Sequence, residues 1–165
     1  MIASPSTYLR LSDDLGPRDH LGAPDLDAFL VAGTFSTAWL GGTDDVAIED
    51  RFFAGGSTTV RGFRDNRLGP RDSAGNPTGG NAQAIVNLEW RFPLWNWLGG
   101  AIFWDMGAIG REWKTLSTGD FRSGVGTGLR LKTPVGPIRL DFGYPLNPIA
   151  GDKPRQIYLS VGNPF

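Results

Sequence analysis

Side-chain alternation that sets ionised residues against bulky apolar ones does most to narrow the fold of this chain. In AQAIVNLEWRFPLW, residues 82–95, Ala84, Val86, Leu88, Trp90 and Phe92 share one parity, while Asn87, Glu89 and Arg91 share the other. Successive side chains of a strand point to opposite faces, so the stretch reads as a strand with one oily and one charged face. The pattern recurs. AFLVAGTFSTAWL, 28–40, sets Phe29, Val31, Phe35, Thr37 and Trp39 against Leu30, Ala32, Thr34, Ser36 and Ala38. GAIFWDMGAIG, 100–110, sets Ile102, Trp104 and Met106 against Phe103 and Asp105. FRSGVGTGLRLKTP, 121–134, sets Val125, Thr127, Leu129 and Leu131 against Gly126, Gly128 and Arg130. PIRLDFGYPL, 137–146, sets Ile138, Leu140, Phe142 and Tyr144 against Arg139 and Asp141; QIYLSVGNPF, 156–165, sets Ile157, Leu159 and Val161 against Tyr158 and Ser160.

About six to eight strands are therefore expected, six of them clear, in an all-β antiparallel fold. Strands of about ten residues, tilted by about 45°, cross the hydrocarbon layer of a bilayer, and apolar-out, polar-in alternation marks a transmembrane barrel. A soluble sandwich or barrel also alternates. Its inward face, however, is the apolar one, packed by side chains. Here Glu89, Arg91, Asp105, Arg130, Arg139 and Asp141 form the second face, enough charge for a wet lumen. Trp90, Trp95, Trp97, Trp104 and Tyr144 lie near strand ends or on the apolar face, as an interfacial aromatic belt requires. Connections alternate between short (135–137) and long (41–80), as between turns on one side of a membrane and loops on the other.

Composition removes other classes. The net charge is −1, so no basic face points to nucleic acid. With no cysteine there is no disulfide or thiolate site, and the one histidine, His20, sits in a polar segment. No metal site, cofactor or catalytic set is expected, and so no enzyme. Met1 is not followed by a basic start and an apolar run, so the first residues do not read as a secretory signal. The apolar run Pro93–Gly110 contains Gly99-Gly100 and Asp105, which argues for strands rather than a spanning helix.

Residues 1–27, rich in Pro, Asp and Gly, read as a weakly structured lead-in with a short strand at Thr7–Leu11; the barrel segment is expected over 28–165. Residues 41–80 lack periodicity and are far longer than an ordinary connection, which suits a functional or disordered loop. Within them RFFAGGSTTVRGF, 51–63, brings glycines and arginines together without an acid. On its own, Arg61 could be a solvated loop arginine. Glu89 and Asp105 could be ordinary lumen charges, or could pair with Arg91, Arg130 or Arg139. Gly124, Gly126 and Gly128 could relieve crowding at a bend, and Phe165 could merely close the last strand.

RFFAGGSTTVRGF resembles the signature loop of the bacterial surface antigen superfamily of outer-membrane barrels. That superfamily includes BamA and TamA assembly factors, FhaC-type two-partner secretion transporters and Toc-like chloroplast channels. NLEWRFPLW, GAIFWDMGAIG, LRLKTPVGPIRLDFGYPL and YLSVGNPF extend the resemblance to residues 28–165, in the order in which such barrels end. Family barrels have sixteen strands preceded by POTRA repeats, so this chain is similar to the C-terminal half of one. Six strands cannot close a membrane barrel, which implies upstream segments, a second chain, or extra strands from the lead-in.

The resemblance further implies that the loop enters the lumen. There Val60, Arg61, Gly62 and Phe63 form its tip, with Gly55 and Gly56 loosening its approach. It gives Arg61 the lumen partners Glu89, Asp105 and Phe103, with Phe103 also a contact for Phe63, in a hydrated lumen. It makes Ile157, Leu159, Val161 and Phe165 an assembly signal. The implied function is insertion of outer-membrane proteins, or polypeptide translocation, in the outer membrane of a Gram-negative-type bacterium or an organelle of such descent. The partners would be the lipid bilayer and unfolded outer-membrane or secreted polypeptides. The alternative is a small structural or adhesive surface barrel without translocation activity.

Overall fold

A computed structural model describes residues 30–40, 46–131, 133 and 137–161. The lead-in 1–27 and Phe165 lie outside the described residues. Six strands form one sheet in sequence order, every neighbour antiparallel: β1 (Leu30–Trp39), β2 (Ala82–Trp95), β3 (Leu98–Gly110), β4 (Arg122–Leu131), β5 (Ile138–Pro145) and β6 (Gln156–Val161). Among the described residues the sheet is open, with β1 at one end and β6 at the other. None of the described helices is long and apolar enough to cross a membrane; Pro93–Gly110 instead belongs to β2, β3 and their two-residue turn.

The strands are not of equal length. β2 and β3 run for 14 and 13 residues and β6 for 6. β3 extends back through Gly99-Gly100, where Gly100 pairs with Phe92 and leaves room for the Phe92 ring that a Cβ would enter. A Pro93/Trp95 irregularity then ends the β2–β3 ladder.

Register converts parity into faces. Asn87 lies opposite Asp105, Glu89 opposite Phe103, Gly128 opposite Asp141, and Asp141 opposite Tyr158, so these residues share one side of the sheet. The other side exposes Phe35, Trp39, Leu88, Trp90, Ile102, Tyr144, Ile157, Leu159 and Val161. A contiguous apolar face of this extent is not a surface that water favours. Trp95 and Trp97 stay exposed at the short β2–β3 turn, and Trp39 and Tyr144 near the end that carries the long connections.

The loop before β2 folds onto the charged side. A short 3-10 turn, Ile48–Asp50, leads into it. Paired hydrogen bonds between Phe52 and Gly80 (2.8 and 3.0 Å) and the Leu68 N–H bond to Ala54 O (2.9 Å) make it a compact hairpin rather than a disordered segment. Ala54, Val60, Phe63 and Leu68 bury themselves against Ile85 of β2 and Ile109 of β3. The main apolar core of the described chain thus lies between loop and sheet, because the outer face has no element packed over it.

Candidate functional site

The loop tip is shaped by backbone conformation before any charge is considered. Gly55, Gly56 and Gly62 have φ of 109°, 101° and 103°, a region that L side chains rarely enter. Gly55 N–H donates to Thr59 Oγ1 at 2.8 Å, and Gly56 N–H to Phe63 O at 3.0 Å. The tip is therefore closed on itself, with Val60-Arg61 at its crest. A Cβ on Gly62 would stand 2.9 Å from the Tyr144 carbonyl carbon, so residue 62 also lets the tip reach the sheet.

Arg61 lies flat on the inner wall, 1 % exposed. Its Nε and Nη2 donate to Asp105 Oδ2 and Oδ1 at 2.7 and 2.9 Å, and its backbone N–H donates to Oδ2 at 3.0 Å. Nη1 donates to Glu89 Oε2 at 2.5 Å and approaches Asp141 Oδ2 at 3.6 Å. The guanidinium carbon stands 3.6 Å from the centroid of the Phe103 ring. A planar fork matches two carboxylate oxygens along one edge while its face stacks on an aromatic, a combination that lysine cannot offer. Burial works against the charge of Arg61. The hydrogen bonds and the charge of Asp105, then those of Glu89, outweigh it and hold the guanidinium above its ordinary range.

The acids are shared. Glu89 also accepts from Arg91 Nε at 2.6 Å and Arg130 Nη2 at 2.9 Å. Asp141 accepts from Arg139 Nη2 at 2.9 Å and from Arg130. Asp105 receives Asn87 Nδ2 at 2.8 Å, and the same amide group donates to Thr59 O at 2.5 Å, while Thr34 bonds Asn87 Oδ1. The structure thus brings Arg61 together with Glu89, Asp105 and Phe103, and the alternative pairings coexist: Glu89 meets Arg91 and Arg130 as well.

Three details differ from the sequence-based expectation. The carboxylates are enclosed rather than facing an open bore, since Glu89 and Asp105 are 3 % and 0 % exposed. The loop itself covers the wall. Phe63 packs with Val60 and Leu68 rather than with Phe103, whose ring lies under Arg61. The glycines of β4 form a floor rather than a bend. Gly124 lies beneath the Arg61 carbonyl, where a Cβ would overlap its oxygen, and Gly126 faces the Phe103 ring. Asp141 and Tyr158 were missed as loop contacts; their inward parity was the available signal. Gly143, beside the Gly62 nitrogen, has a close approach that no local pattern announces. Of the C-terminal residues, Ile157, Leu159 and Val161 point outward and are exposed.

Comparison with known proteins places these features in context. The Omp85 superfamily domain matches residues 14–165. "Outer membrane protein assembly factor BamA" of Nitratidesulfovibrio vulgaris is 34 % identical over 110 residues, 64 % of this chain and 14 % of that protein. The protein of the same name in Neorickettsia risticii is 32 % identical over 129 residues, 73 % of this chain and 17 % of its own length. This chain therefore spans less than a fifth of these two relatives. Among solved structures, BamA from Haemophilus ducreyi lacking POTRA domains 1-3 superposes with a TM-score of 0.63 at 24 % identity, covering 81 % of this chain and 31 % of that one; the likeness is one of fold.

Proposed function

Because the chain belongs to the Omp85 superfamily, we propose that it forms the C-terminal part of an outer-membrane β-barrel that helps insert outer-membrane proteins or moves polypeptides across that membrane. Its place is the outer membrane, with the exposed apolar face of the sheet turned to lipid. The role is non-enzymatic. The observation that carries this reading is the seating of Arg61 on Glu89 and Asp105 by a loop folded onto the charged wall. Such a strut fixes the interior of a sheet whose outer face has only lipid to pack against.

An open edge in lipid leaves backbone groups without partners, at several kcal/mol each. Closure therefore calls for further strands from upstream or from a second chain, with POTRA repeats before them. The clients are unfolded outer-membrane or secreted polypeptides. A strand edge suits them, because main-chain pairing accepts varied side chains. The test is reconstitution in liposomes with a small unfolded barrel protein as client. Client folding should be faster than in empty liposomes, and slower again with Arg61→Ala. Equal rates with and without the protein would remove the assembly reading and leave a structural surface barrel.

A further inference from the structure

Among the described residues β6 is the shortest of the six strands and borders the open side of the sheet. It pairs with β5 from Ile138↔Val161 to Gly143↔Gln156. Its Ile157, Leu159 and Val161 point outward, leaving Gln156, Tyr158 and Ser160 on the inward side. Among the described residues, Gln156 Nε2 is a buried donor with no hydrogen bond. Tyr158 differs. Its hydroxyl accepts from Gly62 N–H at 3.1 Å and donates to Phe63 O at 2.5 Å. A phenol has one proton to give, and here its donor and an acceptor site are spent on two consecutive residues of the loop tip.

The two attachments of the tip serve different strands. The carboxylates hydrogen-bonded to Arg61 come from β2 and β3, in the middle of the sheet. Tyr158 reaches the same tip from the edge. If the tip leaves, β6 loses its inward tie. If β6 moves, Gly62 N–H and Phe63 O lose a partner inside a site that excludes water, which costs more than the bonds themselves contribute. Such a dependence is reciprocal by thermodynamic necessity.

We propose that Tyr158 is a positioning residue that couples docking of the loop tip to seating of the edge strand β6. The proposal deepens the assembly reading, and rests on it for its use: a client strand reaches the edge of the sheet only where β6 is free to shift. The tie itself is a matter of geometry.

Amide hydrogen exchange of the full chain in lipid nanodiscs tests it, with Tyr158→Phe, Arg61→Ala and the double variant, each first checked for folded β content by circular dichroism. Tyr158→Phe should speed exchange in residues 156–161 roughly tenfold, the scale of one or two hydrogen bonds, and leave β2 and β3 protected. Arg61→Ala should speed β6 as well, and the double variant should go no further than the faster single one. Arg61→Lys replaces Arg61→Ala if the latter does not fold. Wild-type exchange in Tyr158→Phe, or two effects that multiply independently, overturns the tie. The client-folding assay on the same samples separates the two ideas. Coupled exchange without client acceleration supports the tie and sinks the assembly reading; client acceleration with wild-type exchange in Tyr158→Phe does the reverse.

Discussion

One loop grips the rest of the molecule with two guanidiniums, and they are held differently. Arg61 is enclosed, bonded by three side-chain nitrogens and its own backbone N–H to two carboxylates, and stacked on Phe103. Arg67 lies at the rim, with Nε 3.2 Å from Asp152 Oδ1 and Nη2 3.1 Å from Ala150 O; its own side chain is 26 % exposed, although that of Asp152 is enclosed. The chemistry is the same, and the environment decides its worth. Water reaches the Arg67 guanidinium and weakens that pair, whereas it does not reach Arg61 or the acids it bonds. The tip is fixed by the first; the second orients the loop against the β5–β6 connection.

That contrast can be broken at either end. Arg61→Ala should have the largest effect. Glu89 keeps Arg91 and Arg130, but Asp105 keeps only Asn87 among its side-chain donors, and loop docking should weaken by roughly 3–5 kcal/mol. Limited proteolysis of 46–80 reads it; wild-type resistance would mean that the tip is held by packing alone. Gly124→Ala comes next. The added methyl meets the Arg61 carbonyl, a backbone atom that cannot rotate away, and should cost about 1–3 kcal/mol by the same readout. Phe103→Leu keeps an apolar floor but removes the ring face under the guanidinium. A loss of about 1–2 kcal/mol is expected, measured as a lower midpoint in thermal unfolding. Arg67→Ala should have the smallest effect, about 1 kcal/mol: the enclosed Asp152 carboxylate loses its guanidinium but keeps the Ile149 N–H, and salt should reduce the difference because water reaches Arg67.

pH sharpens the same comparison. The folded-state pKa of Arg61 is raised, so its contribution is fully present below the ordinary guanidinium range and is lost only on passing above the raised value. Docking should therefore hold on raising the pH to about 10, whereas in Arg61→Lys it should begin to fail there, since a lysine titrates near that value. A parallel alkaline loss of loop protection in both proteins would assign the docking to another group.

Much of this was legible in the amino-acid order because it is local. A period of two sorts Glu89, Asp105, Arg130, Arg139 and Asp141 onto one face and Leu88, Trp90 and Ile102 onto the other, whatever the strands pair with. Glycine at 55, 56 and 62 marks a tip that needs positive φ. The irregular stretch 41–80 was equally plain as a break in that period. It gave no sign that 46–80 would be compact, since its bridges at Phe52–Gly80 and Ala54–Leu68 join residues far apart in sequence.

By itself, the order of residues determined the six alternating strands, their two unlike faces, and the chemical character of the loop tip. Only the tertiary structure decided which of several like charges meet, that Phe63 packs with Val60 and Leu68, that Gly124 and Gly143 are a floor for the tip, and that the loop encloses Glu89 and Asp105. The reason is one of range. Alternation follows from the geometry of a single strand, whereas pairing and burial depend on register between strands and on where a distant loop comes to rest.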